Sequence, residues 1–201
     1  MIVVGLTGTI ASGKSTTAEM FADNGIPVFS ADEAVHLLYS GRAVAPIAAA
    51  FPDAVRDGKV ERQRLAAILA ADPGAVARLE AIVHPLVREE EEAFRKAAAA
   101  AGCEIVVVEI PLLFETDAAR RFDRIVVTTA PDDVRRARAL ARARMTPEVY
   151  DLLTARQLSD PEKRRRADFV VDTGAGPDAA RAAVGDIIAA LASSGPGTPD
   201  A

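Results

Sequence analysis

The chain has 201 residues, of which 50% are apolar and 26% charged, with a net charge of −5 and a pI near 5.2. That length supports one sizeable core with room for an inserted subdomain or lid. The acidic balance excludes a generally basic nucleic-acid-binding domain, and the absence of any apolar run near ~20 residues excludes an expected membrane span.

In chain order, Ile2 to Thr7 is a β-branched run closed by glycine and reads as a buried strand. The segment Met1-Ile2-Val3-Val4-Gly5 lacks the basic region of a secretory leader. Lys14 to Asp23 follows a helical pattern that ends at Asn24-Gly25, a C-cap pair. Ile26 to Phe29 is a second short strand, Ala31 to Tyr39 is helical, and Gly41 to Pro52 is a further helical piece. Glu61 to Ala101 reads as helices punctuated by Asp72-Pro73-Gly74 and His84-Pro85, with Pro85 suited to a first helical turn. Cys103 is the single cysteine, so no intramolecular disulfide forms. A buried or half-buried thiol in a reducing cytoplasm is the expectation. Glu104 to Ile110 and Arg124 to Thr129 are apolar strands. Asp132 to Arg144 and Thr146 to Gln157 are arginine-rich helices. Phe169 to Asp172 is the last strand and Pro177 to Ala192 the last helix, before a Pro/Gly-rich tail over 193–201 expected to be disordered. Five short strands alternating with helices predict a parallel sheet wrapped by helices. Residues 135–166 hold ten Lys or Arg against four Asp or Glu. This is either a solvated helical face or an anion-binding element.

Gly8-Thr9-Ile10-Ala11-Ser12-Gly13-Lys14-Ser15 matches G-x-x-x-x-G-K-[ST] between a predicted strand and a predicted helix. Such a loop wraps phosphates with backbone N–H groups, which demands unusual dihedrals and little side-chain bulk. Lys14 brings a point charge to the β- and γ-phosphates. Ser15 offers a hard oxygen to Mg²⁺, and the helix from Lys14 points its positive end at the nucleotide. ATP is therefore expected on Gly8 and on Ala11, Ser12, Gly13, Lys14, Ser15 and Thr16. Asn24 is the only asparagine, so N-K-x-D is absent, and so is D-x-x-G; both absences argue against a GTPase. Asp32 lies just past a strand's C-terminal end, where parallel sheets place ligands. Its carboxylate can take a proton from an attacking hydroxyl, or cap the following helix. Glu109, ending the Ile105 run, either orients a Mg²⁺-bound water or is a strand-end charge in solvent. His84 and Arg88, four apart, share one helix face.

From Ile2 to about Leu191 the chain resembles the dephospho-CoA kinases. The resemblance rests on the opening V-V-G-L-T-G-T-I-A-S-G-K-S-T, then Ser30-Ala31-Asp32 where the family has D-A-D, and His84-Pro85-Leu86-Val87-Arg88. It continues through Ile110-Pro111-Leu112-Leu113-Phe114-Glu115 to Arg156-Gln157 with Lys163 and Ala167-Asp168. It implies an α/β P-loop fold of three layers, α/β/α, with a five-stranded parallel sheet, a helical substrate-binding subdomain and a helical lid. The core is expected at about 1–58, 102–134 and 167–192, the acceptor-binding subdomain at 59–101 and the lid at 135–166. The implied reaction is ATP-dependent, Mg²⁺-assisted phosphorylation of the ribose 3′-hydroxyl of dephospho-CoA. Asp32 is then the base, Lys14 and Arg142 stabilise charge, and His84, Arg88, Leu113 and Glu115 hold the acceptor. Arg144 is an alternative to Arg142 at the phosphates, and Asp172-Thr173-Gly174 a seat for adenine. A cytoplasmic monomer acting on a small molecule, with no nucleic-acid or membrane partner, completes the expectation. A nucleoside-monophosphate or shikimate-type kinase is the alternative.

Overall fold

The structure, a computed structural model, describes residues 1–143 and 145–194; Arg144 and residues 195–201, most of the expected tail, lie outside the described residues. The strands among them are β1 (Ile2–Gly8), β2 (Val28–Ser30), β3 (Val55–Arg56), β4 (Lys59–Val60), β5 (Ile105–Glu109), β6 (Arg124–Thr129) and β7 (Phe169–Asp172). The helices are α1 (Lys14–Asp23), α2 (Ala31–Leu38), α3 (Val44–Ala50), α4 (Arg62–Ala71), α5 (Ala75–Ala100), α6 (Asp132–Leu140), α7 (Pro147–Ala155), α8 (Asp160–Arg165) and α9 (Pro177–Ser194). Two compact units result, one from Met1–Phe29 with the described residues after Ala97, the other Ser30–Ala97. The expected subdomain boundary at residue 59 falls inside the second unit.

The five-stranded sheet runs in the order β2-β5-β1-β6-β7. β1 is central and parallel to both β5 and β6, with Leu6 opposite Glu109 and Gly8 opposite Thr128. Every residue of β1 and β5 is buried, which is why these strands read as unbroken apolar runs rather than alternating ones. Successive side chains still leave on opposite faces. Val4, Leu6, Val107 and Val126 pack with Phe21, Val184 and Leu191 on one face. On the other, Ile125 and Val127 pack with Leu113 and Phe114.

Leu113 is 0% exposed and lies over Gly5, where a β-carbon would meet its Cδ1 at 2.6 Å. The expectation that Leu113 contacts an acceptor therefore gives way to a core role. Its burial contributes roughly 1.5–3 kcal/mol.

The second unit has its own core, with Leu38, Ile47, Phe51, Val60, Leu65 and Val83 at its centre. Ala75, Leu79, Ile82, Val83, Leu86 and Val87 form the apolar stripe of α5 that closes it, at the 3–4 spacing of an amphipathic helix. Pro85 sits inside this 26-residue helix, not at a helix start. His84-Pro85 is thus no break, because the stripe on either side buries enough surface to carry the helix through it.

Candidate functional site

β1 delivers the chain into the phosphate loop, and α1 begins at Lys14 directly after it. Gly13 is the residue before the helix, at φ 84°, a conformation that a β-carbon resists. A β-carbon there would also come within 2.9 Å of Thr173. Gly8 is tighter still. Its added β-carbon would lie 2.1 Å from Thr128 Oγ1, 2.4 Å from Ser12 Oγ and 2.8 Å from the Thr128 carbonyl. Gly8→Ala is accordingly expected to push the loop off β6 and raise the ATP dissociation constant by about a hundredfold. Calorimetric titration with ATP checks this; an affinity within threefold of wild type would contradict it.

Ser12, 1% exposed, is held from two strands. Its hydroxyl meets Thr128 Oγ1 of β6 at 2.6 Å. Its carbonyl lies 2.9 Å from Thr173 Oγ1, which follows β7. Thr173 in turn accepts from Arg138 Nη1 at 2.8 Å, and its own carbonyl accepts from Arg138 Nη2 at 2.9 Å. Thr173, expected near adenine, thus props the loop backbone. Arg138 was not singled out by sequence. The signal available was its place four residues before Arg142 in the predicted helix from Asp132 to Arg144.

Glu109 is 4% exposed, which removes the alternative of a solvated strand-end charge. Its Oε1 is ion-paired with Lys14 Nζ and accepts from Ser15 Oγ at 2.9 Å. Lys14 and Ser15 therefore converge on a single carboxylate oxygen supplied by the neighbouring strand. The register makes this happen: Glu109 ends β5 opposite Leu6, two residues short of Gly8.

Arg142, just past α6, borders a cleft of about 340 Å³ together with Gly13, Thr16, Arg138, Thr173 and Pro177. α6 and α7 are pinned by Arg136 to Asp151 at 2.6 Å. That hydrogen bond holds the Arg136 guanidinium pKa above its ordinary value. Tyr150 of α7, 2% exposed, packs with Ala139 against Ala11 of the loop. Arg144, the alternative to Arg142, lies outside the described residues.

Glu115 is engaged within its own unit. Its Oε1 accepts from the Leu158 N–H at 2.8 Å and pairs with Lys163 Nζ at 2.9 Å. Glu115, expected to hold the acceptor, braces the α7–α8 connection through this oxygen.

The second unit holds Asp32, His84 and Arg88, all exposed. Asp32 is in the first turn of α2, but the cap is Ser30, whose Oγ accepts from the Glu33 N–H at 3.4 Å. The helix-cap alternative for Asp32 is thereby corrected. His84 and Arg88 lie one turn apart on α5.

A family model described as dephospho-CoA kinase matches residues 2–178. A dephospho-CoA kinase of Mesorhizobium japonicum is 55% identical, over 94% of this chain and 95% of the relative. One of Brucella melitensis is 52% identical, over 95% and 96%. A solved Thermus thermophilus structure superposes with a TM-score of 0.82 at 31% identity, covering 94% of this chain and 96% of that one.

Proposed function

The chain belongs to the dephospho-CoA kinase family, and we infer from that premise that it transfers the γ-phosphate of ATP to the ribose 3′-hydroxyl of dephospho-CoA, giving CoA and ADP. The observation that carries the chemistry is the convergence of Lys14 and Ser15 on the buried carboxylate of Glu109. A nucleoside-monophosphate or shikimate acceptor is not favoured by relatives at this identity.

Phosphoryl transfer asks a protein for positioning and charge stabilisation rather than covalent chemistry. The loop from Gly8 to Thr16 supplies the cradle. Lys14 leaves Glu109 for the β- and γ-phosphates as ATP enters, and Arg142 adds a second positive charge from the cleft. Asp32 orients the acceptor hydroxyl and takes its proton. Its place just past the C-terminal end of β2 supports that role. His84 and Arg88 offer the acceptor's pyrophosphate two donors on one helix face.

The residues present fit Mg²⁺. Ser15 hydroxyl and Glu109 carboxylate are hard oxygens 2.9 Å apart, suited to a small ion that keeps several waters. When bound, Mg²⁺ neutralises the oxygens of the β- and γ-phosphates. Ser15 would ligate it directly and Glu109 through water. Residues 59–101 act as the acceptor-binding subdomain and 135–166 as the lid. The second of these is supported by the contact of Tyr150 with Ala11. The protein works as a cytoplasmic monomer.

The test is ADP release by the purified protein with ATP and Mg²⁺, comparing dephospho-CoA with AMP, CMP, shikimate and no acceptor. Release dependent on dephospho-CoA, with CoA identified by mass, is expected. Release with another acceptor alone would overturn the reading.

A further inference from the structure

The tip of the phosphate loop is tied to a segment 147 residues away: the Ile10 N–H donates to Gln157 Oε1 at 2.9 Å. Gln157 stands in the connector between α7 and α8, and that connector is itself fixed on both sides. Leu158 packs with Leu113, Phe114 and Ile125, and its N–H goes to Glu115. Lys163, 0% exposed, reaches the same Glu115 oxygen, and its N–H closes on the Ser159 carbonyl at 3.0 Å. Neither charge of this buried pair has a task in phosphoryl transfer as derived above.

We propose that Gln157 is a positioning residue of the phosphate loop, held in register by the buried Glu115–Lys163 pair. Ala11, the residue after Ile10, has φ 59°, a left-handed conformation that costs a non-glycine residue roughly 1–2 kcal/mol. Such a conformation persists only where its surroundings over-determine it. Tyr150 and Ala139 fix the Ala11 side chain, and Gln157 fixes the backbone immediately before it. A loop ordered in advance has less freedom to lose when the nucleotide arrives. Because Gln157 holds loop backbone at Ile10 and not the charge of Lys14, it acts on nucleotide affinity rather than on the chemical step. The pair matters because a buried charge left alone is strongly destabilising, so losing one partner alone frees the connector.

The proposal rests on reading Gly8 to Thr16 as the ATP cradle. The primary readouts are therefore MgATP binding and amide hydrogen exchange on the full chain, neither of which needs an acceptor. Gln157→Met is expected to raise the MgATP dissociation constant about tenfold, and to speed exchange of the Ile10 amide by a similar factor. Its kcat at saturating ATP should stay within about threefold of wild type. Gln157→Glu, which keeps an acceptor oxygen at the same reach, retains the exchange protection. Lys163→Met weakens MgATP binding in the same direction. If that variant does not fold, Glu115→Gln with Lys163→Met removes the stranded charge while keeping an acceptor for Leu158, and returns affinity toward wild type.

An affinity and an Ile10 exchange rate within about twofold of wild type in Gln157→Met would overturn the proposal. So would a lowered melting temperature with unchanged MgATP affinity, which would make the contact merely structural. A wild-type protein that binds MgATP but transfers nothing to dephospho-CoA would refute the proposed function and leave this inference to its own binding data.

Discussion

Lys14→Ala is expected to lower kcat/KM for acceptor phosphorylation on the order of a thousandfold, since it removes a fixed charge from the point where transferred charge develops. The structure adds a second consequence. Lys14 is the ion-pair partner of Glu109, whose side chain is only 6% exposed. Deleting the lysine takes the ion-pair partner from that carboxylate. Breaking a buried pair from one side costs about 3–5 kcal/mol, which in a chain of this size lowers the melting temperature by roughly 6–15 °C. The two consequences separate in the double variant. Lys14→Ala with Glu109→Gln removes the stranded charge and should regain most of the lost melting temperature, while transfer stays near zero. Initial rates and thermal denaturation of both variants decide the matter. If the double variant recovered activity along with stability, the lysine would serve only to hold Glu109, and its assignment to the phosphates would fail.

The phosphate loop and the frame around it were legible because each was written locally. Lys14–Asp23, Arg124–Thr129 and Phe169–Asp172 have the limits that their periodicity and flanking turn residues predict. Other features were also local but carried quieter signals. Asp57-Gly58 joins Val55–Arg56 to Lys59–Val60, with both turn residues at positive φ. That is the turn chemistry of a two-residue hairpin, unread because the strands it joins are two residues long. Ser159 caps α8 through the Glu162 N–H. The serine, proline and glutamate pattern announces this helix, yet its charges blended into the basic run around it.

What could not be read locally was set by partners far along the chain. Nothing near Glu109 says that its carboxylate meets Lys14 and Ser15; that follows from the pairing of β5 with β1. Glu115 and Leu113 sit in a motif that invites a substrate role. Their actual engagements, with Lys163 and over Gly5, come from segments 48 and 108 positions away in sequence. The sequence resemblance marks such residues without saying whether they touch a ligand or hold the residues that do.

Asp32→Asn is the variant on which the acid–base assignment turns. A positioned base contributes about 10²–10⁴-fold to a proton-transfer step, so kcat at saturating ATP and dephospho-CoA should fall within that range. The ATP dissociation constant should stay within about twofold, since no part of the cradle is altered. Stability should change little as well. The side chain that caps α2 is Ser30, not Asp32, and Asp32 is exposed in the first turn, where losing its charge costs about 0.3–1 kcal/mol of helix-dipole interaction. Ser30→Ala gives the opposite pattern. It removes the Oγ acceptor of the Glu33 N–H, costs about 1 kcal/mol, and lowers the melting temperature by roughly 2–4 °C. Measured side by side, the two variants divide capping from chemistry in residues two positions apart. A loss of kcat in Asp32→Asn no larger than that in Ser30→Ala, with a matching drop in melting temperature, would make Asp32 part of the helix start and leave the acceptor hydroxyl without its proposed base.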